Sequence, residues 1–246
     1  MKKSLVLLAC GFLFMTGCNQ SSVPEDEIQF EDESASANGR QCASFEVLED
    51  ILSKDPALRQ KMDAIEDFTR RFENTPGVET LSGDIMTVPV VVNVLYRTAS
   101  EDISLAQIQS QIVIMNDDFA GSNSDVNNTF TYQSVKAGDT KIRFVLSNVV
   151  RKSTTNTSWG TNDAMKKSSQ GGIDPTNPTT TLNIWVCKMG GGILGYAQFP
   201  GGSPATDGIV ILINAFGNTG TAATGSFNKG RTATHEIGHY FNLRHI

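Results

Sequence analysis

The sequence predicts an α+β domain preceded by a small helical segment. Three observations carry this prediction: two consecutive amphipathic stretches over 44–72, a valine-dense run at 85–96 followed by a capped helical pattern, and short apolar runs divided by glycine turns that lead into a final helix. With 246 residues and 39% hydrophobic content, the chain has enough apolar material for a sizeable core. Its formal charge of −6 comes without any basic block, which argues against a nucleic-acid partner. Nothing in the composition speaks to oligomeric state.

Residues 1–17 read as an export signal. Lys2 and Lys3 supply its positive start, and the apolar run 5–14 is too short to span a bilayer as a stable anchor. Met15-Thr16-Gly17-Cys18 resembles the bacterial lipobox, which implies a lipoprotein with its lipid on Cys18, a mature N-terminus there, and membrane contact through that residue only. Cleavage of an ordinary secretory signal is the alternative. Residues 18–40 are rich in Ser, Asp and Glu, the composition of an acidic, solvated tether. Acidic residues at this place are also similar to surface-export signals of some outer-membrane lipoproteins.

Residues 41–80 are expected to form a helical hairpin. Its helices cover 44–54 and 56–72, the second with Asp55 as N-cap, Pro56 in the first turn, and Leu58, Met62, Ile65 and Phe72 on one stripe. Thr75-Pro76-Gly77 and Ser82-Gly83 mark a break, so the main domain is placed at 81–246. It opens with the strand at 85–96. Ser104 and Gln107 then make a capping box for a helix reaching about 119. A strand at 141–151 precedes a polar stretch that wanders to 180. Short strands follow at 182–187, 195–199 and 208–213, and the last helix covers 232–243.

The chemistry sits in that last helix. His235-Glu236-Ile237-Gly238-His239 places two imidazoles four positions apart, one turn above each other on a helix face, where they can share one tetrahedral ion. His245, ten positions after His235, would point away in an unbroken helix, so the helix must end in between. Any one of these residues alone would pass for an ordinary core or capping histidine. All three histidines of the chain in eleven residues would not. Three imidazoles and one open position suit a catalytic zinc, which polarises a scissile carbonyl and makes water acidic near neutral pH. Glu236, beside them, is placed to accept the water proton and pass it to the leaving amine. Of the four cysteines, Cys10 belongs to the signal and Cys18 to the lipid site; Cys42 and Cys187 remain, and one bridge between them is open in an oxidising compartment.

The zinc segment and the Gly230-Arg231-Thr232-Ala233-Thr234 leading into it are similar to the pappalysin-type metzincins, specifically their cytophagalysin branch. Val88-Pro89-Val90-Val91-Val92, Leu182-Asn183-Ile184-Trp185-Val186 and Gly195-Tyr196-Ala197-Gln198-Phe199-Pro200 agree with that family too. The metzincin pattern has Gly three residues after the second His; here Asn242 stands there, the next most tolerant residue for a left-handed backbone.

The resemblance implies a zinc endopeptidase acting on protein or peptide substrates, with a twisted mixed sheet, an active-site helix beneath a horizontal cleft, and an extended substrate lying along an edge strand. Residues 190–196 are the candidate edge, a plain glycine-rich hairpin being the competing reading. Arg40-Gln41-Cys42 resembles a cysteine switch, in which a pro-segment thiolate holds the fourth zinc position; a disulfide to Cys187 or an unpaired thiol competes. Cleavage near Arg70 or Arg71 would then activate the enzyme and release it from its lipid. None of the seven methionines follows the zinc segment, so the family's methionine turn is absent and the chain is expected to be a C-terminally truncated member. The alternatives are a catalytically incomplete lipoprotein that binds peptides or a partner in the same cleft, and a structural zinc module with Cys42 as fourth ligand.

Overall fold

The computed structural model describes residues 41–75, 84–127 and 130–245, all within one compact unit. The signal at 1–17, Cys18, the tether at 18–40 and the turn residues at 76–83, where the 80/81 boundary is expected, lie outside the described residues. Six strands, β1 (Gln41–Cys42), β2 (Met86–Tyr96), β3 (Ile142–Ser153), β4 (Leu182–Cys187), β5 (Ile193–Ala197) and β6 (Ile209–Leu212), form one sheet in the order β1-β5-β6-β4-β2-β3. Only β5 and β6 pair antiparallel, so the sheet is mixed. Among the described residues there are four α-helices: α1 (Ser44–Lys54), α2 (Pro56–Glu73), α3 (Leu105–Ala120) and α4 (Arg231–Tyr240). No helix among the described residues is long and apolar enough to cross a membrane.

Strand β4 runs between β2 and β6 and is buried along its whole length, which is why it reads as a continuous apolar run. Ile184 and Val186 face the main core, which also takes Val90, Val92 and Val94 of β2 and Ala233 and Ile237 of α4. Helix α3 makes the crossover between parallel β2 and β3. Its cap is half of the box predicted: Ser104 accepts from the Gln107 N–H at 3.1 Å, but the Gln107 side chain reaches the Phe216 carbonyl (2.9 Å) and the Thr221 N–H (3.0 Å) instead of turning back.

The N-terminal helices form where their sequence places them. Asp55 accepts from the Ala57 N–H at 3.1 Å, and Leu58 and Met62 join Leu48, Leu52 and Phe199 in a separate apolar cluster. Phe72 departs from the expected stripe, staying 45% exposed and stacked on Phe68, because the buried residues of α2, Leu58 and Met62, lie in its first half. Strand β5 begins two residues earlier than expected. The final helix stops at Tyr240, three residues short of the predicted end, for a reason that belongs to the site.

Candidate metal centre

Helix α4 sorts its side chains by the 3.6-residue period: Ala233 and Ile237 enter the core, while Glu236 and His239 are buried on the side that faces β5 and the N-terminal segment. Its first turn is tied to α3 by the Thr234 hydroxyl, which donates to Asp118 at 2.6 Å, and by the Arg231–Asp118 pair at 3.1 Å. Its end is set by Asn242 at φ +71, which lets the Leu243 N–H return to the Gly238 carbonyl at 2.9 Å and swings the chain back. That reversal brings His245 to the two helical histidines.

The structure thus gathers every histidine at one point. The Nε2 atoms of His239 and His245 each lie 3.1 Å from Nε2 of His235, and with the Cys42 Sγ the four donor atoms fall within 4.8 Å of one another. Nitrogens bound tetrahedrally at zinc would sit roughly 3.3 Å apart, given metal–nitrogen bonds of about 2.0–2.1 Å, so the spacing fits such an ion. The tautomer fits as well. His239 Nδ1 lies 2.8 Å from the Leu243 carbonyl, an atom that only accepts, so Nδ1 carries the proton and Nε2 presents its lone pair. Desolvation and the two neighbouring imidazoles push His235 down to about 4, and burial lowers His239 too, which keeps both as neutral donors.

Glu236 is buried, and burial pushes its carboxyl up to about 7. Its Oε1 has no hydrogen-bond partner, while Oε2 accepts from the Ser44 hydroxyl at 2.7 Å and from the Cys42 thiol at 3.5 Å. Burial and the Glu236 charge push that thiol up to about 12, so a thiolate at Cys42 needs a cation among the imidazoles. Cys42 is not joined to Cys187. Both are free, and Cys187 is buried, its thiol directed at the Met189 sulfur.

Strand β5, which overlaps the stretch 190–196 expected to be a substrate edge, is covered on its outer side by β1. The Ala43 N–H donates to the Gly195 carbonyl at 3.0 Å, and the Ala197 N–H donates to the Ser44 hydroxyl at 2.9 Å. Gly195 is a residue the sequence flagged only loosely: a Cβ there would lie 2.8 Å from the Val210 carbonyl oxygen and 3.1 Å from Glu236 Cγ, so glycine is what lets the strand approach the carboxylate. Ser44 and Phe45, whose ring lies 6.0 Å from that of His239 and 5.4 Å from that of His245, read in sequence only as the start of a helix. Cys42, two residues before Ser44, was the one local signal for them.

No family model matches the sequence. An extracellular metalloprotease of Pyricularia oryzae is 33% identical over 170 residues, covering 65% of this chain and 50% of that protein, and one of Arthroderma otae is 34% identical over 137 residues, covering 52% and 42%. The chain spans about half the length of the curated relatives it matches. Among solved structures, Tannerella forsythia mature mirolysin in complex with a cleaved peptide superposes with TM-score 0.63 at 41% identity, over 66% of this chain and 65% of that one. A mutant of Tannerella forsythia promirolysin superposes with TM-score 0.71 at 37% identity, over 84% of this chain and 70% of that one. A likeness of that identity and reach establishes that the chain belongs to the mirolysin family of metallopeptidases.

Proposed function

We propose that this chain carries the catalytic centre of an exported, zinc-dependent endopeptidase of the pappalysin/cytophagalysin metzincin type, held latent by its own residues 41–80. The observation that carries the reading is the meeting of three imidazole nitrogens beside a buried carboxylate, with the Cys42 thiol on the remaining side. His235, His239 and His245 would hold the ion, and Cys42 would fill the fourth position until the segment leaves. Bound zinc supplies Lewis acidity, polarising the scissile carbonyl and making water acidic near neutral pH.

The rest is done by the chain. Glu236 accepts the proton of the attacking water and returns it to the leaving amine. The Leu243 carbonyl keeps the His239 ring aimed at the cluster. Once 41–44 are gone, β5 offers the Gly195 carbonyl and the Ala197 N–H to an extended peptide, which suits a protein or peptide substrate. The cleaved peptide held by mature mirolysin supports the same substrate class, and the extracellular designation of the relatives supports export. Lipid on Cys18 would keep the chain at the cell envelope until cleavage near Arg70 or Arg71 is followed by departure of the segment.

The test is zinc content together with cleavage of a casein-type substrate, for the chain from Cys42 onward, for a form lacking the pro-segment, and for Glu236→Ala in each. About one zinc per chain, with activity appearing on removal and lost in Glu236→Ala, is the expected result. Zinc without activity in either form favours a binding lipoprotein using the same cleft. Zinc that departs with the segment favours a four-ligand structural site, and absence of zinc contradicts the reading.

A further inference from the structure

The N-terminal segment makes a second contact in the centre, on the carboxylate rather than the histidines. Ser44 is fully buried at the start of α1, where its hydroxyl donates to Glu236 Oε2 at 2.7 Å and accepts from the Ala197 N–H at 2.9 Å. We infer that Ser44 is a latency determinant separate from Cys42, one hydroxyl withholding both the proton acceptor of the reaction and the outward N–H of the strand that receives substrate. The inference rests on the latent-peptidase reading above and names a part of its regulation.

The chemistry of the contact requires a hydroxyl. In a space this small only a group with one donor and two acceptor lone pairs can serve an anion and an amide together; alanine can serve neither. The bond to a carboxylate is charge-assisted and stronger than one between neutral groups, whereas the Cys42 thiol at 3.5 Å is a weak donor to the same oxygen. Nor can the hydroxyl swing away: the Ala43 N–H is bonded to Gly195, and Val47 and Leu48 of the same helix are buried, so the backbone at Ser44 is held from both sides. No metal is needed for any of these contacts. Ser44 therefore acts on Glu236 and β5 through protein atoms alone, whereas Cys42 gives Glu236 only a weak thiol contact and would act chiefly as a ligand of a loaded centre.

Amide hydrogen exchange on the uncleaved, metal-free chain tests this without recourse to activity. In Ser44→Ala the Ala197 amide should exchange roughly tenfold faster or more, since it loses its acceptor, while amides of β4 keep their parent rates and report that the fold is intact. Parent-like exchange at Ala197 would overturn the inference. A second comparison uses the uncleaved, zinc-loaded chain and a short quenched peptide. Cys42→Ala with Ser44→Ala should turn over about tenfold faster than Cys42→Ala alone; equal rates would also overturn it. Inactivity of the form lacking the pro-segment would tell against the peptidase reading alone, because the exchange result does not depend on catalysis.

Discussion

His239 owes its usefulness to a carbonyl four residues on. With Nδ1 committed to Leu243, its Nε2 faces His235, and the arrangement exists only because Asn242 takes a left-handed backbone between them. Asn242→Gly should therefore keep zinc and stability. Asn242→Val should cost about 1–2 kcal/mol in urea unfolding, from the clash a Cβ-branched residue meets at this φ, and should weaken zinc binding by displacing His245. Glu236→Ala should keep zinc and lower peptide hydrolysis by the form lacking the pro-segment on the order of a thousandfold, the scale of a lost general base. At this scale the sequence was most legible where the partners are close along the chain. His235, Glu236, His239 and His245 lie within eleven residues, and the need for a turn at Asn242 follows from the third histidine. Ser44 was not legible, because its meaning depends on a carboxylate 192 positions away.

Strands and helices were legible to the extent that one periodicity or one stop signal governed them. Leu182–Cys187 matches its expected bounds because an all-buried strand is an uninterrupted apolar run, and Asp55-Pro56 fixes the start of α2 through local chemistry. β1 escaped because two residues carry no period. The end of α4 was overestimated because its apolar pattern continues through Phe241 and Leu243, both of which lie past the last helical residue and stay exposed. Two substitutions test how elements hold the site. Gly195→Ala should destabilise by about 1–3 kcal/mol, since the new methyl must displace the Val210 carbonyl or the Glu236 stem. Thr234→Val removes the hydroxyl that donates to Asp118, whose Oδ1 is already buried without a partner, and should cost about 1–3 kcal/mol in the same assay.

For the whole molecule, the balance of forces decides how firmly the N-terminal segment is held. Its Leu48, Leu52, Leu58 and Met62 are buried with Phe199, each worth about 1.5–3 kcal/mol when fully removed from water. The Arg244–Glu66 ion pair between segment and domain is about two-fifths exposed on both sides and contributes at most about 1 kcal/mol. Apolar contact therefore dominates. A chain nicked within 76–83 should still co-elute as one particle in size-exclusion chromatography, and Glu66→Ala should not change that. Arg70 and Arg71 lie in the last turn of α2, and the Arg70 carbonyl accepts from the Asn74 N–H, so cleavage there requires that turn to fray.

Whether three histidines hold zinc while Cys42 of the N-terminal segment closes the fourth position can be read from X-ray absorption at the zinc edge on the uncleaved chain. About one zinc per chain is expected, with three nitrogen neighbours at about 2.0 Å and one sulfur at about 2.3 Å, the sulfur disappearing in Cys42→Ala. A chain that takes up no zinc, or a zinc shell without sulfur in the unaltered chain, would contradict it.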